Sequence, residues 1–219
     1  MSKSYYEFFC PVKIIAGHSA LEHVPFELST LGAKRPMILT DAGVRKAGLL
    51  APAIFDDVPP DSSLATVRAA ATTYRDNDCD AILAIGGGSV IDTSKAVNIL
   101  VSLGGDDLMA YAGAHNLPRP LKPLFVIPTT AGTGSEVTNI AILSDKAQQM
   151  KKGIVSDCLL PDVAIVAPEL TLSCPRSVTA ASGVDALVHA VEAYLSNFAT
   201  PITDALAVKA MNLIVHSLP

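Results

Sequence analysis

The stretch Ala81-Ile82-Leu83-Ala84-Ile85-Gly86-Gly87-Gly88-Ser89-Val90-Ile91-Asp92-Thr93-Ser94-Lys95-Ala96 reads as a strand, a glycine turn and the start of a helix. Its apolar run is continuous rather than alternating, which marks a strand covered on both faces within a parallel sheet. Runs of the same kind recur at 36–40, 124–127 and 163–166, and each is closed by turn residues. Helical patterns fill intervals between them, at 62–76, with apolar Leu64, Val67, Ala70 and Ala71, and at 90–103. This rhythm predicts an α/β fold, a doubly wound, Rossmann-like parallel sheet.

Beyond residue 177 the rhythm stops. Residues 178–196 and 203–217 read as two helices joined by a turn at Pro201, with no strand between them. The expected organisation is an α/β domain over 1–177, followed by the start of an all-α domain over 178–219.

Composition narrows the functional classes. The 219 residues are 50% hydrophobic and 17% charged, with a net charge of -5. No basic stripe is visible, which argues against a nucleic-acid partner. The densest basic cluster, three lysines over 146–152, reads as a solvated hairpin. Cys10, Cys79, Cys158 and Cys174 are scattered, without a paired spacing, so reduced thiols in a cytoplasm are expected. Residues 1–7 lack the apolar core of a signal peptide, and no uncharged run approaches the roughly 20 residues of a membrane span.

Two loops carry chemistry. Glycines after the strand at 81–85 let the backbone approach a ligand closely. Ser89 suits a helix N-cap, with Asp92 three residues on as in a capping box. Exposed amides and the helix dipole would then form an anion site suited to phosphate. This is not a Walker A loop, because Lys95 lies too far into the helix; Asp92 and Lys95 read as an intrahelical pair. The second loop, Pro128-Thr129-Thr130-Ala131-Gly132-Thr133-Gly134-Ser135-Glu136-Val137-Thr138, is dense in hydroxyls and glycines. It follows the next strand, at the carboxyl end where α/β sheets bind ligands, and its hydroxyls read as donors to a nucleotide.

The third segment is Gly183-Val184-Asp185-Ala186-Leu187-Val188-His189-Ala190-Val191-Glu192-Ala193-Tyr194. Asp185 and His189 stand four apart on one helical face, as two ligands of one metal would. A carboxylate with an imidazole suits Fe, Zn, Co or Mn better than Ca or Mg. The helix is apolar almost all round, which predicts burial. A buried Asp185 would need a cation or several donors.

Taken together, 86–96, 128–138 and 183–194 resemble the iron-type, or group III, metal-dependent alcohol dehydrogenases, over residues from about 11 to 219. The resemblance implies a dehydroquinate-synthase-like fold, with NAD in the cleft between an α/β and a helical domain. Gly87, Gly88 and Ser89 would hold the pyrophosphate. Thr129, Thr130, Thr133 and Thr138 would line the cofactor, Lys152 would reach its ribose, and Asp41 would sit near the adenosine ribose. A carboxylate there repels a 2′-phosphate and favours NAD over NADP. Asp185 and His189 match the first two metal ligands, with Fe2+ expected and Zn2+ the alternative. The implied activity is hydride transfer between a small alcohol or aldehyde and the nicotinamide, with the metal polarising the substrate oxygen. A homo-oligomer, dimer or larger, is expected.

Two departures from the family stand out. Its two further histidine ligands come from beyond residue 219, and His216 matches neither; His18, His23 and His115 are not expected to be ligands. The segment 48–57 is short for a parallel crossover, which needs about a dozen residues or more, because residues 41–52 would have to supply both loop and helix. Residues are therefore expected to be absent between Leu50 and Phe55 and after Pro219. The alternatives are a truncated nucleotide-binding module without turnover, or a related-fold metal enzyme such as a maleylacetate reductase, a glycerol-type dehydrogenase, a lyase or a phosphate-ester dehydrogenase.

Overall fold

The computed structural model describes residues 5–42, 53–60, 63–145 and 150–218. Six strands form one sheet: β1 (Lys13–Ala16), β2 (Pro36–Thr40), β3 (Ala53–Phe55), β4 (Ala81–Gly86), β6 (Leu124–Pro128) and β9 (Val163–Val166). Their order is β1-β9-β6-β4-β2-β3, and every neighbouring pair is parallel. The continuous apolar runs are the buried strands: all six residues of β4 and all five of β6 are buried. Their side chains alternate between two cores. Ile82, Ala84, Leu124 and Val126 face helices α2 (Leu64–Asp76) and α3 (Gly88–Leu103). Leu83, Ile85, Phe125 and Ile127 face the segment around Ala20 and helix α1 (Val24–Thr30).

A second sheet of three strands has the order β5-β8-β7: β5 (Gly113–Ala114), β8 (Met150–Val155) and β7 (Ile140–Asp145). β7 and β8 form the antiparallel hairpin that the lysine cluster suggests, with Ser144 opposite Lys151. Lys146 lies outside the described residues.

The crossover from β2 to β3 spans residues 41–52, close to the length a parallel connection needs. The expected break between Leu50 and Phe55 lies largely outside the described residues. At its flanks, Met37 pairs with Ala53 and Leu39 with Phe55 in one parallel register.

Two helices follow the sheet, α4 (Arg176–Leu195) and α5 (Pro201–Ser217). Thr200 and Thr203 close a capping box ahead of Pro201, which starts α5 at the position where a missing N–H costs nothing. The expectation of a buried α4 is corrected. Only Gly183 and Ala190 are buried on it, while Val184 and Val188 stay 52% and 47% exposed. Ser182 packs against Gly132 of the threonine-rich loop and Gly183 against Leu218, just beyond α5. No helix among the described residues is long and apolar enough to cross a membrane.

Candidate functional site

A cleft of about 1480 Å³ opens at the carboxyl ends of β2, β3, β4 and β6. Three sequence segments meet there: the glycine turn after β4, the threonine-rich loop after β6, and one face of α4. Ser177, Val178, Ala181, Ser182, Asp185 and His189 line it, the spacing of a single helical stripe.

The two loops interlock. A Cβ built on Gly87 would lie 3.1 Å from Thr130 Oγ1, and one on Gly88 would lie 2.8 Å from Thr133 Cγ2 and 2.9 Å from its Oγ1. A side chain at Gly88 would therefore displace Thr133, and one at Gly87 would press more lightly on Thr130. Gly134 turns the second loop at φ +66, in the left-handed region that glycine adopts freely. Thr133 and Ser135 share a hydroxyl hydrogen bond of 3.0 Å.

The start of α3 differs from the expected capping. Gly87 is the N-cap, with no side-chain cap, and Ser89 lies within the first turn. The backbone N–H groups of Val90 and Ile91 return to Gly87 O, so the positive end of α3 faces the cleft across bare backbone.

Asp92 and Lys95 are not hydrogen-bonded to each other. Asp92 Oδ2 accepts from Ile142 N at 3.1 Å. Lys95, fully buried, donates through Nζ to Thr138 O (2.7 Å), Thr138 Oγ1 (3.1 Å) and Ile140 O (2.9 Å). Both side chains thus tie α3 to β7 and to the end of the threonine loop. Burial pushes the Asp92 carboxyl up, against the opposing charge of Lys95.

Asp41, Gly87, Gly88, Ser89, Thr129, Thr130, Thr133, Thr138, Asp185 and His189 all line the cleft. Lys152 does not. It pairs across the hairpin with Leu143, which is 1% exposed, so its side of the strand is the core side. Lys151 pairs with Ser144, and both line the cleft. Paired residues share a face and successive ones alternate, so Lys151 is the lysine on the cleft side of the strand. Asp56 and Asp57, beyond β3, also line the cleft beside Asp41, a placement visible only once β3 is known to neighbour β2.

Asp185 Oδ1 and His189 Nε2 stand 3.8 Å apart, the two side chains about half exposed. Two bonds of about 2.1 Å to one ion span up to about 4.2 Å, so the pair fits as two ligands of a single metal. Among the described residues, no group of three or more His, Cys, Asp or Glu side chains gathers as a metal site. His216 instead contacts Asn212 O on its own helix, and His18 lies near Glu169.

The family model described as "Iron-containing alcohol dehydrogenase" matches residues 11–168, and that for the C-terminal part of the Fe-containing family matches 179–219. The chain belongs to the iron-containing alcohol dehydrogenase family. Within this family it is 39% identical to the NAD-dependent methanol dehydrogenase of Bacillus methanolicus, over 97% of this chain and 58% of that protein. Among solved structures, a 1,3-propanediol oxidoreductase superposes with a TM-score of 0.93 at 38% identity, covering 98% of this chain and 59% of the other. A sulfoacetaldehyde reductase from Bifidobacterium kashiwanohense, in complex with NAD+, superposes with a TM-score of 0.90 at 32% identity, covering 99% and 60%. The chain spans about three fifths of the length of these family members.

The interlock predicts the behaviour of Gly88→Ala. The added methyl must displace Thr133, an overpacking that should weaken NAD affinity by about tenfold. Adding Thr133→Ala should recover part of the loss, because it removes the two nearest atoms. Titration of both variants with NAD measures this; full affinity in Gly88→Ala would rule out the coupling.

Proposed function

We propose that this chain carries the nucleotide site and the first two metal ligands of an NAD-linked, metal-dependent alcohol dehydrogenase or aldehyde reductase. The observation that carries the reading is one cleft lined by a glycine turn, a threonine loop, a carboxylate at the end of β2, and an Asp–His pair 3.8 Å apart. The names of the similar proteins, an NAD-dependent methanol dehydrogenase and a reductase bound to NAD+, support it.

In this reading residues 1–177 bind the dinucleotide and residues 178–219 begin the metal domain. The amides at the start of α3 hold the pyrophosphate between Gly87, Gly88 and Ser89. Thr129, Thr130, Thr133 and Thr138 supply hydroxyl donors along the opposite wall, and Lys151 takes the ribose role first given to Lys152. Asp185 and His189 would hold a divalent metal, Fe2+ by preference and Zn2+ as the alternative. Bound there, the metal supplies Lewis-acid polarisation of the alcohol oxygen and the nicotinamide supplies the hydride acceptor. Val137, Ile140 and Ile142 add exposed apolar surface to the cleft wall. The substrate class is a small alcohol or aldehyde. Exposed Tyr5, Tyr6, Phe8 and Phe9 beside edge strand β1 support a homo-oligomer, which light scattering would measure. Four free cysteines support a cytoplasmic location.

Asp41 is the NAD selector in this reading. It ends β2, the strand next to the one bearing the glycine turn, where an acid meets the ribose in dinucleotide folds. Asp41→Gly should raise the NADP-to-NAD affinity ratio by about tenfold through loss of like-charge repulsion. An unchanged ratio would remove that role. Calorimetric titration with NAD, followed by turnover of simple alcohols after loading with Fe2+ or Zn2+, tests the whole reading. No saturable NAD binding would overturn it, and binding without turnover of any alcohol would leave a nucleotide-binding module.

A further inference from the structure

Helix α4 meets the threonine loop at a contact that only glycine permits. A Cβ built on Gly132 would lie 2.6 Å from Ser182 O, 2.7 Å from Ser182 Cβ and 3.0 Å from Ser182 C. Two of those three atoms are helix backbone, which cannot rotate away as a side chain could. Ser182 Oγ turns back into its own helix, donating to Val178 O at 2.8 Å. The loop and the helix are therefore held by close packing. On the next residue of α4, a Cβ at Gly183 would overlap Leu218, just beyond α5. Two successive positions seat the helix, one against the loop and one against the segment that ends α5, and Asp185 follows two residues later.

We propose that Gly132 is a positioning residue, setting the separation between the Asp185–His189 face of α4 and the nucleotide loops. This rests on the reading that those two side chains hold a metal and the loops hold NAD. A methyl at 132 would push helix and loop apart by roughly an ångström, a misplacement that can cost about a hundredfold in rate when two reacting groups are held by different elements. Each group would still be bound, because neither the loop hydroxyls nor the Asp–His pair is altered.

The test compares the purified protein with Gly132→Ala and with Gly153→Ala, where an added Cβ meets nothing within 4 Å. Mn2+ is the metal probe, and its relaxation enhancement of the nicotinamide protons of bound NAD falls steeply with distance. Gly132→Ala is expected to keep NAD and Mn2+ affinities within about twofold, while the enhancement falls by about twofold and turnover by about tenfold or more. Gly153→Ala should change none of these. The double variant Gly132→Ala/Ser182→Gly removes the Cβ part of the overlap and should recover part of both losses. An unchanged enhancement in Gly132→Ala overturns the proposal, as does an NAD or Mn2+ affinity that falls in step with turnover, or a double variant that recovers nothing. Wild-type protein that binds neither NAD nor Mn2+ overturns the functional reading itself, and the proposal with it.

Discussion

Replacing His189 or Asp185 by alanine is expected to abolish metal retention, with affinity reduced by about a hundredfold or more, while leaving the fold intact. Even a residue that only supports a ligand typically costs ten- to a hundredfold in metal affinity, and these two are proposed to be ligands. Turnover should be lost with the metal. The fold should survive because both side chains are about half exposed and their mutual contact is 3.8 Å, a surface pair of small energetic weight. Stability should therefore change by no more than about 0.5 kcal/mol. Elemental analysis beside a urea melt separates the two effects. Full metal occupancy in His189→Ala would dispose of the site.

The second large effect is structural. Lys95→Ala should destabilise the protein by about 3 kcal/mol, because it leaves a cavity and orphans three oxygen acceptors at Thr138 and Ile140. The cost of burying the ammonium offsets part of its gain, so a loss below about 1 kcal/mol would mean that desolvation cancels the three bonds. The same residue should leave a pH signature. Burial pushes its pKa from 10.5 down to about 8, against the pull of Asp92 and Glu136. The folded protein releases this proton near pH 8, whereas the unfolded chain keeps it until about 10.5. Between those values the unfolded state binds more protons, so this group adds stability as pH rises, by up to about 1.4 kcal/mol per pH unit. Below pH 8 it adds no slope. Subtracting the stability curve of Lys95→Ala from that of the wild type isolates the contribution, and a flat difference from pH 8 to 10 would contradict the burial argument.

The sheet was legible where strands are covered on both faces. β2, β4, β6 and β9 announce themselves as unbroken apolar runs because neither face meets water. β1 and β3 are short edge strands whose apolar runs are only three residues long, too short to stand out. β7 alternates, with Ala141 and Leu143 buried and Ile142 exposed, because only one of its faces is covered. The loops were legible because glycine and threonine density at strand ends has few other uses. What stayed hidden depends on register and packing. Lys151 and Lys152 are identical neighbours, and only the pairing with Ser144 and Leu143 decides which one meets the cleft. Asp92 and Lys95 have the spacing of an intrahelical pair, yet β7 lies closer to each than they do to one another. The apolar pattern of α4 records what that helix is able to bury, while its exposure depends on what packs beside it.

The position of β1 has a consequence for how the chain comes into being. Of the described strands this one is made first, yet its neighbour in the sheet is β9, at Lys13↔Val163 through Ala16↔Val166. At synthesis rates of about 5–20 residues per second, the partner emerges roughly seven to thirty seconds later. Throughout that interval Ile14 and Ile15 must remain unpaired, next to an aromatic segment at residues 5–9 with nothing to add to. The nascent chain thus carries an unpaired strand that waits for β9, and that interval is when a chaperone would matter most to it.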